Sequence, residues 1–170
     1  SLSIRHTLAR VEQVTPFNAL RWFVCTHAEP DAAGALPLLD QLVHREDARL
    51  VTHSGAAPAL RHLGLNLPMH LVDEGQPRLV LEDRVLRFVP TPFMRGQFAC
   101  VDDGSGTLFW GDLSAPPEPD QRFEAANTGD LEMICAYQAA TLPHRGVLTL
   151  LLDRLAEMRV RQIAPRQGLF

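Results

Sequence analysis

"LRWFVCTHAEPDAAGAL", Leu20–Leu36, is the stretch from which the fold can be read. Leu20–Thr26 is dense in aromatic and β-branched residues, the composition of a buried central strand. The chain then turns acidic, and His27, Glu29 and Asp31 stand two apart. Pro30 drives Glu29 away from the helical region, so this turn is expected to be extended. Extended backbone would put the three side chains on one side. Further on, Leu36, Leu39, Leu42 and Val43 share one helical face. Pro37 fits a helix only in its first turn, so the helix is expected to begin close to Gly34. A strand that feeds a helix through a polar turn places that turn where α/β sheets bind ligands. The same Asp31 could instead cap the following helix.

The rest of the chain extends this pattern. Ile4, Leu8 and Val11 predict a short helix that Pro16 closes. Arg49–Thr52 reads as a strand, and "AAPALRHLGL" (56–65) as a helix ended by Gly64. The order of strand, helix, strand, helix predicts parallel pairing through right-handed crossovers. The middle changes character. Arg78–Leu81 and Arg84–Val89 predict a hairpin turning at Glu82-Asp83. "QFACVDDGSGTLFWGD" (97–112) predicts a second hairpin turning at Gly104-Ser105-Gly106. Pro116, Pro117 and Pro119 mark a loop. Helices are expected over about 130–140 and 144–158, the latter with Leu148, Leu151, Leu152 and Leu155 on one stripe. "VRQIAPRQG" (160–168) predicts a short strand and a turn. The whole reads as one α/β domain over residues 1–170 with a mixed sheet.

Composition removes several functions. Sixteen basic and twenty acidic residues give a net charge of −4 in 170 residues. No basic block marks a nucleic-acid surface. No apolar run is long enough for a membrane span, and no signal-peptide pattern opens the sequence. Three scattered cysteines, Cys25, Cys100 and Cys135, form no CxxC pair. They read as free thiols of a reducing, cytoplasmic setting. The sequence has no GxGxxG, GxxxxGK[ST] or GxSxG, so dinucleotide, P-loop and serine-hydrolase chemistry lack their motifs.

One imidazole and two carboxylates suit iron, zinc or manganese better than a soft-metal site. Three donors from one turn leave such a site incomplete. Asp112 is a further candidate, since it follows a strand-like run, and Gly111 before it permits an unusual backbone angle or a close approach. His53 follows a strand and could face the same cleft, or serve only its own loop. Cys25 reads as a structural thiol, Trp110 as core, and His44, His62, His70 and His144 as surface residues.

Four ordered pieces carry a family resemblance. "HAEPDAAGAL" (27–36) resembles the HxExDH signature of the oxygen-binding diiron branch of the metallo-β-lactamase superfamily, which includes flavodiiron proteins. "FVPTPFMRG" (88–96) resembles the stretch with the next ligand histidine. "GSGTLFWGDL" (104–113) resembles the run ending in the bridging aspartate, and "IAPRQG" (163–168) the turn presenting the last histidine. The resemblance implies a metallo-β-lactamase-like αββα sandwich with mixed sheets, here lacking part of the N-terminal strand segment. It also implies two iron positions. The first would match His27, Glu29, Arg95 and Asp112; the second would match Asp31, Ala32, Asp112 and Gln167. Ala32, Arg95 and Gln167 thus stand where the family has histidines, while every carboxylate is kept. Arg95 cannot bind a metal. Its fork suits carboxylates, so it is expected to supply the missing positive charge.

Three functional classes follow from that ligand set. One is a degenerate relative without dinuclear redox catalysis, acting as a binding, structural or regulatory domain with no cofactor. Another is an oxygen- or nitric-oxide-reactive oxidoreductase or sensor holding one Fe ion. The third is a metallohydrolase holding Zn. The expected partners are a second copy, as a homodimer, or a chain covering the missing strands; no nucleic acid and no membrane are expected.

Overall fold

The computed structural model describes residues 2–91, 94–111 and 145–165, with helical positions 132, 136, 139 and 140. It divides into two compact units, Ser1–Val72 and Asp73–Phe170. Asp112, Gln167, the Pro116–Pro119 loop, Cys135, Tyr137 and His144 lie outside the described residues. No described helix is long and apolar enough to cross a membrane.

The first unit opens with α1 (Leu2–Glu12), where the apolar spacing placed a helix. Beyond Pro16 a 3₁₀ turn, Phe17–Ala19, leads into β1 (Trp22–Val24). Strands β1, β2 (Arg49–His53) and β3 (Met69–Val72) form a three-stranded sheet in that order. Both pairings are parallel, Phe23 opposite Leu50 and Val51 opposite His70. The expectation of parallel pairing therefore holds, but the central strand is β2, not β1. Leu50, Val51 and Thr52 are fully buried, whereas β1 lies at the edge and leaves Val24 exposed.

The helix after the acidic turn forms in two pieces, α2 (Pro30–Ala33) and α3 (Leu36–Leu42). Prolines sit in the first turn of each, where a missing N–H costs nothing. With α4 (Ala57–Arg61), these helices cover one face of the sheet. Cys25, Ala33, Leu36, Leu50, Leu60 and Leu67 form the core, with Phe23 and Leu39 at its margin. Asp40 on α3 ties the loop before β3 to this core. Its carboxylate accepts from the backbone of Asn66 at 3.0 Å and of Leu67 at 2.7 Å, and from the Asn66 side chain at 3.0 Å.

The second unit is a five-stranded sheet, β4-β5-β6-β7-β8. Its strands are β4 (Arg78–Val80), β5 (Val85–Pro90), β6 (Phe98–Asp102), β7 (Thr107–Gly111) and β8 (Gln162–Pro165). The two expected hairpins form, β5 pairs antiparallel with β6 to join them, and β8 joins β7 in parallel. The β6–β7 turn is closed by Asp102, which accepts from Gly104 N at 3.0 Å, Ser105 Oγ at 2.7 Å and Arg84 at 2.9 Å. Helix α5 (Arg145–Ala156) packs Leu151 and Leu155 on Val89, Ala99, Val101 and Leu108. Leu152 faces outward, so the apolar stripe is narrower than its leucines suggest.

Candidate functional site

The acidic turn leaves the end of β1 as extended chain and enters α2. Cys25 N–H donates to the Val51 carbonyl at 2.9 Å, and Thr52 Oγ1 donates to the Cys25 carbonyl at 3.2 Å. These bonds tie the turn to the central strand. The Cys25 thiol donates to the His27 carbonyl at 3.0 Å. Burial pushes this thiol up to about 11; the bond to the His27 carbonyl acts against that, and the Asp31 charge adds to it. Cys25 is therefore a protonated structural thiol.

His27 is 2% exposed. Thr26 Oγ1 lies 3.0 Å from its Nδ1, and Asp31 Oδ1 lies 3.4 Å from its Nε2. The spacing of four arises because Asp31 stands in the first turn of α2. Asp31 is therefore not the cap: Glu29 holds that position, with φ −68 and ψ 152, and makes no side-chain capping bond. The extended conformation expected at Glu29 is present, but helix begins directly after it. His27 and Asp31 are thus drawn together, while the Glu29 side chain is exposed. Gly34 ends α2, and a Cβ there would collide with the Pro30 carbonyl.

Ala32 is half-buried within α2 and offers no donor. His53, at the end of β2, accepts the Gly55 N–H on Nδ1 at 2.9 Å. That nitrogen is engaged in its own turn. In the second unit, Arg95 is exposed in the turn between β5 and β6. Gln97 N–H donates to the Met94 carbonyl at 3.1 Å, and Gly96 takes φ +82. This is a four-residue turn needing a left-handed third position, which explains "RG". Gly111 closes β7 at φ +65 beside a bulge. An added Cβ there would meet nothing within 4 Å, so backbone angle, not close approach, calls for the glycine.

Among the described residues, no three His, Cys, Asp or Glu side chains are grouped to hold a metal ion. Donor chemistry agrees. His27 and Asp31 adjoin, Glu29 stands in solvent, and Ala32 and Arg95 offer no ligand atom. Among the described residues of the acidic turn, His27 is the one imidazole. Residues that sequence reading overlooked are Thr26 and Thr52, which orient the turn through hydroxyl bonds. A threonine beside a histidine at a strand end was the available signal.

The chain has clear structural relatives. A metal-soaked Flv1 flavodiiron core from Synechocystis sp. PCC6803 matches with TM-score 0.77 and 24% identity, over 95% of this chain and 41% of that one. A flavodiiron protein from Giardia intestinalis matches with TM-score 0.80 and 18% identity, over 95% and 41%. The chemotaxis sensor ODP, in a peroxy diiron species, matches with TM-score 0.83 and 16% identity, over 96% and 69%. The chain thus spans about two-fifths of the length of the matched flavodiiron chains. No curated protein matches it. The fold is that of the metallo-β-lactamase-like core of flavodiiron proteins. The model of the ODP family beta lactamases matches residues 2–168, and the chain belongs to that family.

Proposed function

We propose that this chain is an ODP-family domain that has given up dinuclear redox catalysis and serves as a binding, structural or regulatory domain. The observation that carries this reading is the donor set. Of the four positions resembling the family's histidines, only His27 is an imidazole; the others are Ala32, Arg95 and Gln167. Two carboxylates with no imidazole hold iron poorly. One matched structure is named as a chemotaxis sensor, which favours a regulatory role over a purely structural one.

Element analysis tests this directly. Protein produced with iron, zinc and manganese supplied is expected to retain well under one equivalent of any of them. One or two tightly held equivalents would overturn the proposal. A second reading has its own support. Burial of His27 and the Thr26 hydroxyl at its Nδ1 resemble the way outer partners orient a ligand imidazole. His27 would then be a ligand to a single iron. That reading predicts one equivalent of iron, and an absorption change when anaerobic protein meets oxygen or nitric oxide.

A further inference from the structure

The end of the β5–β6 hairpin buries two polar side chains whose oxygens have no partner among the described residues. Thr91 is 7% exposed and Gln97 is 5% exposed. Among the described residues, Thr91 Oγ1 and Gln97 Oε1 meet no hydrogen-bonding group. The two residues oppose each other: Pro90 pairs with Phe98, and Thr91 N–H donates to the Gln97 carbonyl at 3.0 Å. Strand alternation places them on the face of Val89 and Ala99, which packs against Leu151 and Leu155 of α5. Directly opposed residues have Cβ atoms about 5 Å apart, close enough for one small molecule to touch both side chains. A dry, unpaired oxygen on such a face would lower the folding constant about tenfold, and two in register would compound the loss.

We propose that Thr91 Oγ1 and Gln97 Oε1 together hold one neutral hydrogen-bonding molecule of the size of water. It donates to both oxygens and pins the base of the turn that carries Arg95. Such a molecule needs two or more polar partners, and these two side chains provide them. This inference does not depend on the metal content of the chain.

A double-mutant cycle tests it, read by denaturant unfolding of the intact chain. Thr91→Val and Gln97→Leu are each expected to lower the folding constant about five- to tenfold. Losing the shared molecule once is enough, so the double variant should fall no further than the worse single one. A single variant more stable than wild type would show a dry oxygen and overturn the proposal, as would strictly additive losses. A direct readout comes from wild-type protein. NMR should show a long-lived water cross-peak to the Thr91 and Gln97 side-chain protons, and its absence would overturn the assignment even if a variant failed to fold.

Discussion

An added Cβ on Gly106 would lie 2.8 Å from both the Arg159 carbonyl and Arg161 Cγ, on a backbone at φ +71. The same residue's carbonyl accepts the Arg161 N–H at 2.8 Å, so it anchors the entry to β8. Gly106→Ala combines a left-handed backbone with a collision against main chain. It is expected to cost about 2 kcal/mol or more, measured as a fall in unfolding midpoint. Gly111→Ala meets only the backbone penalty and should cost about 1 kcal/mol. The sequence hinted at both glycines through their neighbours, "GSG" in a hairpin and a glycine before an aspartate. It left open whether angle or crowding was the reason, because crowding at Gly106 comes from residues more than fifty positions later. The pairing of His27 with Asp31 was hidden for a similar reason. Alternate spacing suggested a strand-like array, and the helix that starts at Pro30 changes which side chains meet.

At the scale of elements, the hairpins, α1 and the parallel first sheet were legible from periodicity and turn residues. Three features were not. β1 reads as central because Leu20–Thr26 is so apolar, yet order within a sheet depends on pairing partners that composition does not name. β3 is only four residues long, and His70 interrupts its apolar run, so no pattern announced it. The third is the hold of Asp40 on Asn66 and Leu67, which joins positions 26 and 27 residues apart. An acid on a leucine-rich helix looks like solvent-facing decoration; here it satisfies backbone donors of the segment leading into β3. Asp40→Ala leaves those donors unpaired and is expected to cost about 2–3 kcal/mol. Hydrogen exchange at Asn66 and Leu67 should accelerate more than at the β4–β5 hairpin.

At the scale of the whole molecule, each unit has, among the described residues, one buried carboxylate held in its charged form. Burial pushes Asp40 upward, but the bonds from Asn66 and Leu67 outweigh it and leave the group below its usual range. Burial acts likewise on Asp102, and Ser105, Gly104 and Arg84 overcome it. A depressed carboxylate adds stability that is complete above its unfolded value, about 3.9, and is lost as pH falls through its folded value. Urea midpoints should therefore vary little between pH 5 and 7 on account of these groups and drop below about pH 4. Asp40→Asn should shrink that drop. The family was readable because four motif pieces keep their order over most of the chain. The site was readable only in part, because the motif order names positions along the chain, while which side chains meet at the acidic turn is set by the helix that starts at Pro30. The parallel seam between β7 and β8 has one more consequence. β4 to β7 follow one another closely in sequence and can zip together as the chain leaves the ribosome. β8 begins at Gln162, far beyond Gly111, so its partner edge must wait through a long loop closure. Sheet assembly thus ends at that seam, and the unsealed β7 edge is where a nascent chain is most open to mispairing with another.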